Sequence, residues 1–352
     1  MGPASASLVV GDWPPPGLER VERCPACGDS RRHLLYADLV DRSYRCAPGA
    51  WSLVRCERCW SAYLDPRPTR DTARLAYRTY YDGAAEPRPE RLGPGWPRLR
   101  RALRNGYLNS TYGYGARPAL GIGRFVVPLL PRYRELADMH VRHLRFPGHG
   151  ATVVDVGCGE GEFLAELQSL GWSVEGVDPS DAAVAIAQAR GVHAAAGTIA
   201  DVSFETGSLD AITFRLVFEH IADPVAALAD CRRALRSHGT LWIATPSLDS
   251  EAHRAFGRDW IHLEPPRHAV LYTRRSLTRL LELSGFDVVS VKPLRHAHWS
   301  FRLSTALSNG LFPFESAPPL PPRVAARALR ADIEALRRPE KADVIVIVAR
   351  AR

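Results

Sequence analysis

The strongest constraint on the fold is a regular alternation of short apolar runs and amphipathic segments that begins near residue 150. The predicted elements are, in chain order, strand 152–156, helix 161–170, strand 173–177, helix 180–190, a short strand near Val192, strand 209–214, helix 224–236 and strand 240–245. Strands separated by crossover helices are typical of a parallel sheet. We therefore predict an α/β fold with a doubly wound sheet.

Further elements of the same sheet are predicted after this run. A helix over 275–284 ends at Gly285 and leads into the strand FDVVSV, and ADVIVIVAR is a wholly apolar strand that needs a buried position in the sheet. We expect the sheet domain to comprise residues 148–292 and 342–352. Between these parts, residues 293–341 hold a Pro-rich stretch and an amphipathic helix near VAARALRADIEALRR, and we expect this insertion to act as a lid.

The segments before the sheet domain differ in composition. Residues 1–20 are rich in Pro, Gly and Ser and are expected to form a disordered tail. A cysteine module is predicted over 21–68 and a helical or irregular connecting region over 69–147. In the connecting region TRDTARLAYRTYYDG predicts a helix capped by Thr69, and RYRELADMHVRHLRF predicts another. Residues 84–130 show no long period, because Pro and Gly recur at short intervals.

A glycine-rich turn joins the first strand of the alternation to its helix. In VVDVGCGEGEF, Gly157, Gly159 and Gly161 let the backbone turn tightly and approach a ligand, because they lack a Cβ. The dinucleotide fingerprint would place glycine at 162, where this chain has Glu162. Asp178 ends the second strand, where its carboxylate can accept hydrogen bonds from ribose hydroxyls. Together the two features predict a ligand site of the nucleotide type.

Three segments carry a resemblance to a known family. DVGCGEG, GVDPS at 176–180 and LDAITFRLVFEHIADP at 209–224 resemble successive motifs of class I S-adenosylmethionine-dependent methyltransferases. The resemblance covers about 150–292 and the final strand, and it implies a Rossmann-like sheet of seven strands with the last one antiparallel. It also implies S-adenosylmethionine as the cofactor. The cofactor-binding residues that it implies are Asp155, Gly157, Cys158, Gly159, Gly161, Asp178, Pro179, Gly197 and Thr198.

Methyl transfer needs little from the protein beyond alignment, because the leaving group of the in-line displacement is neutral. A base helps where the acceptor is a hydroxyl or an acidic carbon, and the candidates are Glu219, His220, Glu264 and His268. The segment FGRDWIHLEPPRHAVLYTRRSL resembles the W-x-x-L-x-x-P-x-H loop of small-molecule members of the superfamily. We predict His268 as the first catalytic candidate and His220 as the second. The alternatives are that His268 only holds this loop and that His220 only begins a helix.

Four cysteines form two C-x2-C pairs. Cys24 and Cys27 are separated by 28 residues from Cys56 and Cys59. This spacing is typical of a zinc ribbon, in which four thiolates hold Zn²⁺ tetrahedrally and leave no position for an activated water. We therefore predict a structural zinc at these four residues. Cys46 lies between the pairs as a spare thiol or a substitute ligand, and redox exchange between the pairs is the alternative.

A zinc ribbon ahead of a methyltransferase domain resembles two groups of enzymes. One comprises small-molecule or sugar methyltransferases of polysaccharide and natural-product clusters, which have phrases similar to YLDPRPT and LAYRTYYDG. This resemblance implies a small-molecule, sugar or lipid-linked glycan acceptor, methylated at oxygen. The other comprises ribosomal-RNA methyltransferases, and RNA is therefore the alternative acceptor. A non-catalytic scaffold is a third alternative. The Asp/Asn-Pro-Pro-aromatic motif of enzymes that methylate base amino groups is absent, which favours the first group.

The charge balance is basic and depends on arginine. The formal net charge is +8, and the chain has lysine only at positions 292 and 341. Arginine favours phosphates and carboxylates, so nucleic acid and a peripheral contact with an acidic membrane surface both stay open. No run of 18 uncharged apolar residues occurs, and no basic segment precedes the short apolar stretch near the amino terminus. We therefore expect a cytoplasmic protein.

Overall fold

The computed structural model describes residues 13–77 and 96–352. The amino-terminal part contains strands β1 (Leu18–Glu19), β2 (Arg32–Leu39), β3 (Trp51–Cys56), β4 (Ala62–Leu64) and β5 (Arg67–Pro68). β2, β3 and β4 form an antiparallel sheet, and β1 pairs with β5. The predicted helix after Thr69 is a short 3₁₀ turn over Ala73–Tyr77, and the remainder of that prediction, from residue 78, lies outside the described residues.

The connecting region is more helical than the sequence indicates. Its helices are α1 (Trp96–Tyr112), α2 (Gly123–Val126) and α3 (Pro131–His140). A Cβ on Gly106 would lie 1.9 Å from the Leu120 carbonyl oxygen, and a Cβ on Gly123 would lie 2.0 Å from the Leu103 carbonyl oxygen. Glycine therefore allows α1 and the following segment to pack closely here. This use of glycine is invisible to a search for periodicity along one segment.

A seven-stranded sheet forms the centre of the molecule. Its strands are β6 (Thr152–Val156), β7 (Ser173–Asp178), β8 (His193–Ala196), β9 (Leu209–Arg215), β10 (Leu235–Pro246), β12 (Phe286–Lys292) and β13 (Val344–Ala351). The spatial order is β12-β13-β10-β9-β6-β7-β8. The neighbouring strands β10, β9, β6, β7 and β8 pair in parallel. β13 runs antiparallel to both of its neighbours, β10 and β12. The predicted fold class, with its antiparallel last strand, is confirmed.

Five helices lie between or directly after the strands of the sheet, and most of them begin at a side-chain cap. They are α4 (Glu162–Ser169), α5 (Asp181–Ala189), α6 (Pro224–Ala234), α7 (Glu251–Phe256) and α8 (Arg274–Leu283). Ser180 and Asp223 cap α5 and α6 by accepting hydrogen bonds from backbone amides. Thr273 and Ser276 form a reciprocal capping box at the start of α8.

Apolar side chains fill both faces of the central sheet. Successive residues of a strand point to opposite faces, and in β6 Val154 packs into one core cluster while Val153 packs into the other. The same division separates Ile345 from Val346 in β13. The unbroken apolar run ADVIVIVAR, which predicted a buried strand, therefore supplies side chains to the core on both faces of the sheet.

The insertion over 293–341 is helical. It contains α9 (Ala297–Ser308), α10 (Pro313–Ser316) and α11 (Pro322–Arg337), and α9 packs against both α7 and α11. Among the described residues, no helix combines the length and the apolar character that crossing a bilayer requires.

The amino-terminal sheet is completed by a strand from the other end of the chain. β11 (Val270–Leu271) pairs with β4, with Val270 opposite Tyr63. The four-stranded order is β11-β4-β3-β2. The loop that precedes β11 carries His268, so the cysteine module and this loop are parts of one packed unit.

Candidate active site and metal centre

The glycine-rich turn after β6 is closed on one side and open on the other. Gly157, Gly159 and Gly161 have φ values of 73°, 53° and 74°, which favour glycine. A Cβ on Gly157 would lie 2.2 Å from Cγ2 of Val217, just beyond β9. A Cβ on Gly159 would meet no atom within 4 Å. A ligand can therefore approach the backbone at Gly159.

Asp178 locks this turn to the end of β7. Its Oδ2 accepts a hydrogen bond from the Gly159 amide at 2.8 Å, and its Oδ1 accepts one from the Ser180 amide at 2.9 Å. Burial raises the pKa of Asp178, and the two amides oppose that rise. Each carboxylate oxygen keeps a further lone pair. The carboxylate is thus fixed in place and can still accept hydrogen bonds from hydroxyl groups.

Asp155 lies beneath the turn in a buried ion pair. Its carboxylate accepts hydrogen bonds from Nη1 of Arg142 and, at 2.8 Å, from the Thr213 hydroxyl. The Arg142 guanidinium also lies 3.6 Å from the Phe163 ring centroid. Burial raises the pKa of Asp155, and Arg142 opposes that rise. Sequence reasoning missed Arg142, although an acid in a buried apolar strand needs a buried cationic partner.

The turn after β8 reaches the same edge of the sheet. The Gly197 amide donates to the Asp178 carbonyl oxygen at 2.9 Å, and the Thr198 hydroxyl donates to Oδ2 of Asp201 at 2.6 Å. The turns after three neighbouring parallel strands therefore meet, as expected for a ligand edge. The predicted cofactor residues that lie in these turns are Gly157, Cys158, Gly159, Gly161, Asp178, Pro179, Gly197 and Thr198.

His268 is buried with one ring nitrogen directed at two carboxyl groups. Its Nδ1 lies 2.7 Å from the His262 carbonyl oxygen. A carbonyl only accepts hydrogen bonds, so Nδ1 carries the proton and Nε2 of the neutral ring carries the lone pair. That Nε2 lies 4.0 Å from Oε1 of Glu219 and 3.8 Å from Oε2 of Glu264. Oε2 of Glu219 accepts a hydrogen bond from the Thr245 hydroxyl at 2.8 Å.

His220 joins the same cluster. Its ring centroid lies 4.7 Å from that of His268 in an edge-to-face arrangement. Its Nδ1 lies 3.1 Å from the Arg267 carbonyl oxygen and 3.0 Å from the Tyr77 hydroxyl oxygen. One carboxyl oxygen of Glu219 and one ring nitrogen each of His220 and His268 lie within 4.8 Å of one another. The two histidines proposed from sequence are thus brought together.

Burial sets the protonation states in this cluster. It lowers the pKa of His268 and of His220 to about 3 and raises the pKa of Glu219 to about 8. It also raises the pKa of Glu264. Both histidines are therefore neutral near pH 7, and Glu219 holds its proton. The cluster therefore holds unprotonated imidazole nitrogens near pH 7, and the same burial makes them weaker bases than a free histidine.

A buried ion pair fixes the backbone next to His268. Nη2 and Nη1 of Arg267 lie 2.7 Å and 2.8 Å from Oδ1 and Oδ2 of Asp41, and both side chains are wholly buried. Burial raises the pKa of Asp41, but Arg267 and backbone amides of residues 44–47 outweigh it, so the net shift is downward. This pair joins the cysteine module to the loop that carries His268. Its partners are 226 positions apart, and nothing local in the sequence indicates it.

A cavity of about 310 Å³ lies between the cysteine module and the loop that carries His268. Its wall includes Asp38, Arg42, Arg258, Trp260, Glu264 and Pro265. Glu264 belongs to both the cavity wall and the histidine cluster, because its Oε2 lies 3.8 Å from Nε2 of His268. The volume of this cavity is at the lower end of the range found for small-molecule sites.

The four paired cysteines converge on one point. Sγ of Cys24 lies 3.6 Å from Sγ of Cys59, and Sγ of Cys27 lies 3.6 Å from Sγ of Cys56. Tetrahedral zinc with Zn–S bonds of about 2.3 Å would separate its sulfurs by about 3.8 Å. The donor set and its spacing therefore fit a closed tetrahedral Zn²⁺ site.

Both cysteine pairs form tight knuckles. The amides of Gly28 and Trp60 donate to the carbonyl oxygens of Cys24 and Cys56 at 2.8 Å and 3.1 Å. Trp60 adopts a φ of 67°, which is uncommon for a bulky residue, and the Arg55 guanidinium lies 4.8 Å from its ring centroid. Cys46 is outside the cluster, since its thiol lies 3.2 Å from the Ala76 carbonyl oxygen and from Nη1 of Arg267.

Comparison with known proteins agrees with this geometry. Residues 131–291 match a family model described as a methyltransferase domain. The matched segment contains the glycine-rich turn, Asp178, His220 and His268. This part of the chain is therefore similar to a methyltransferase domain.

Curated relatives match part of the chain. An uncharacterized 37.1 kDa protein in transposon TN4556 of Streptomyces fradiae is 34% identical over 161 residues, which is 41% of this chain and 46% of that protein. A ubiquinone biosynthesis O-methyltransferase of Xanthomonas oryzae pv. oryzae is 34% identical over 103 residues, which is 27% of this chain and 43% of that protein. A probable S-adenosylmethionine-dependent methyltransferase of Mycolicibacterium smegmatis is 32% identical over 143 residues, with 40% and 53% covered. The chain thus spans about half the length of these relatives.

Proposed function

We propose that the protein is an S-adenosylmethionine-dependent methyltransferase that methylates a hydroxyl oxygen of a small-molecule, sugar or lipid-linked glycan acceptor. The observation that carries the proposal is the neutral His268, whose Nε2 lies beside Glu264 at the wall of the 310 Å³ cavity. A base is of most use where the acceptor loses a proton on methylation, as a hydroxyl does. The relatives named as ubiquinone biosynthesis O-methyltransferases support oxygen as the acceptor atom.

The carboxyl edge of β6, β7 and β8 fits the cofactor. Bound S-adenosylmethionine supplies a methyl group activated by a sulfonium centre. The open side of Gly159 admits a ligand to the backbone, and Asp178 has lone pairs for ribose hydroxyls. Gly157, Gly161, Gly197 and Thr198 complete the proposed cofactor site. Asp155 supports the glycine-rich turn and does not contact the cofactor, because its carboxylate is engaged by Arg142 and Thr213.

His268 is the proposed base. Its Nε2 takes the acceptor's hydroxyl proton, while its Nδ1–H stays bonded to the His262 carbonyl oxygen and holds the ring orientation. The imidazolium that forms lies within 4.0 Å of the carboxyl groups of Glu219 and Glu264. A neighbouring imidazolium lowers the pKa of these carboxyl groups, and once ionised they stabilise the positive charge on the ring. His220 is the second candidate, and a charge on either ring disfavours a charge on the other.

Cys24, Cys27, Cys56 and Cys59 are the proposed ligands of a structural Zn²⁺. Four protein thiolates leave no open coordination position, so the metal serves folding and not the transfer reaction. The amino-terminal sheet shares β11 with the catalytic loop, and the zinc would therefore stabilise the wall of the acceptor cavity.

A transfer assay tests the proposed function. Purified protein is incubated with methyl-tritiated S-adenosylmethionine and a panel of catechols, phenols, nucleotide-linked sugars and polyprenyl-linked sugars, and products are identified by mass spectrometry. We expect an O-methylated product in at least one class, with little product from His268→Ala. The surface variant His193→Ala is the matched control. Methylation of an RNA fragment without methylation of any hydroxyl compound would assign the protein to the alternative class.

A further inference from the structure

The connecting region presents a surface that the transfer reaction does not use. Residues 96–134 contain eight arginines and no aspartate or glutamate. This segment forms α1, α2, the 3₁₀ turn Val127–Leu129 and the first turn of α3. So strong a local excess of positive charge creates a potential that attracts an anionic partner.

The same surface exposes large apolar side chains. Ile122, Phe125 and Leu129 are 59%, 61% and 79% exposed. Their spacing of three and four residues along a helical segment places them on one side. The other exposed apolar side chains of this region are Leu99, Leu120, Leu130 and Leu136. The helices and the turn that carry most of these residues contact one another, and we call the set of seven residues the apolar patch.

Arginines lie among the residues of the apolar patch. In the part of the chain that the structure describes, no carboxylate forms an ion pair with Arg98, Arg117, Arg124 or Arg132. The Arg124 guanidinium lies 4.5 Å from the ring centroid of Phe125, the one aromatic residue of the seven. Apolar insertion and cationic contact would thus occur at the same place on the surface.

We infer that the apolar patch and its arginines form a docking surface for an anionic phospholipid bilayer. Aliphatic side chains bury themselves at the boundary of head groups and acyl chains, and adjacent cations bind anionic head groups. A nucleic-acid site would instead use aromatic platforms for base stacking, and this patch is mostly Leu and Ile. The inference stands independently of the transfer chemistry, because none of these residues lies in the site described above.

Vesicle sedimentation tests the inference. Full-length protein is spun with vesicles of phosphatidylcholine alone and with vesicles that contain equal parts of phosphatidylcholine and phosphatidylglycerol. We expect binding to the anionic vesicles that is at least tenfold tighter than to the neutral ones and that weakens as salt is added. Absence of binding to both vesicles, or equal binding to both, would overturn the inference.

Two pairs of variants separate the apolar and cationic contributions. Phe125→Ser with Leu129→Ser should weaken anionic-vesicle binding at least tenfold, whereas Leu329→Ser with Ile333→Ser, which changes exposed apolar residues of α11, should leave it unchanged. Arg124→Gln with Arg132→Gln should weaken binding by roughly fivefold for each arginine, since each contributes about 1 kcal/mol near an anionic surface.

The same variants identify other occupants. A concentration-dependent dimer in sedimentation velocity that Phe125→Ser dissociates would assign the patch to a second copy of the chain. Competition of vesicle binding by a single-stranded RNA at lower concentration than by soluble phosphatidylglycerol head group would assign it to nucleic acid. Either result would overturn the inference that the patch binds a bilayer.

Discussion

The cofactor side and the acceptor side of the proposed active site are built from different kinds of contact. On the cofactor side, the Gly159 amide and Asp178 are 19 positions apart, and they are joined by one βαβ unit. On the acceptor side, Arg267 meets Asp41 across 226 positions, and His220 meets Tyr77 across 143. The cofactor side therefore forms from contacts within one βαβ unit of the sheet. The acceptor side forms only when the cysteine module folds against the loop that carries His268.

The largest expected effect comes from removing the proposed zinc. Cys56→Ser or chelation should release the metal, unfold the amino-terminal sheet and abolish turnover. The reason is that β4 of this sheet pairs with β11, which directly follows the loop with His268. Cofactor affinity measured by calorimetry should stay within severalfold of normal. The control is Cys46→Ala, which removes a thiol outside the cluster and should keep one zinc per chain. Elemental analysis that finds no zinc in freshly prepared, reduced protein would contradict the proposed site.

The next effect is on the chemical step. His268→Ala should reduce turnover by about 10² to 10⁴, the usual scale for loss of a general base, while cofactor affinity stays close to normal. His220→Ala should cost less. The measurement is kcat with the identified acceptor across pH, together with a cofactor titration. A near-normal rate would leave alignment alone as the source of catalysis, and a parallel loss of cofactor affinity would erase the division between the two sides.

The buried pair that joins the cysteine module to the loop should matter for stability. Asp41→Ala leaves Arg267 buried without its carboxylate, and loss of one partner of such a pair typically costs about 3 to 5 kcal/mol. Urea unfolding measures this loss, and Asp41→Ala combined with Arg267→Met should recover part of it. Asp287→Ala, which breaks an exposed pair with Arg352, is the control and should change the free energy of unfolding by less than about 1 kcal/mol. An equal, small effect of both variants would refute the coupling.

A smaller effect is expected on the cofactor side. Asp178→Ala removes a charged acceptor, and hydrogen bonds to charged groups contribute about 1.5 to 3 kcal/mol. Affinity for S-adenosylmethionine and for its demethylated product should therefore fall roughly 10- to 150-fold in a calorimetric titration. Thr198→Ala, whose hydroxyl is already engaged by Asp201, should change affinity less. Unchanged affinity in Asp178→Ala would remove this residue from the cofactor site.

The smallest expected effect is the dependence of stability on pH near neutrality. The pKa of His268 and His220 falls from 6.5 to about 3 on folding, so their stabilisation is present above pH 6.5 and is lost as the pH falls towards 3. The pKa of Glu219 rises from 4.5 to about 8, so its stabilisation is lost as the pH rises through that interval. These groups together place the maximum near pH 6.5. Unfolding curves of Glu219→Gln should show a shallower alkaline decline, since the buried Glu264 also has a raised pKa, and a decline of unchanged slope would contradict the assignment.

Features that depend on local pattern could be predicted from the sequence. The alternation after residue 150 specified the sheet, because strands and crossover helices have distinct periods that neighbouring residues reveal. The C-x2-C pairs predicted where Cys24 and Cys59 meet, since each knuckle directs two sulfurs at one point. Helix α1 escaped prediction, because Gly106 interrupts its pattern at a position where the helix contacts the backbone of Leu120.

The sequence by itself thus determined the class of sheet, the glycine-rich turn with Asp178 and the cysteine cluster, because each is encoded within a short stretch of chain. Only the tertiary structure decided what surrounds His268: its orientation by the His262 carbonyl, its carboxyl neighbours Glu219 and Glu264, and the ion pair of Arg267 with Asp41. The physical reason is burial. Desolvation sets the pKa values of these groups and makes their long-range partners obligatory, and burial is a property of the packed chain.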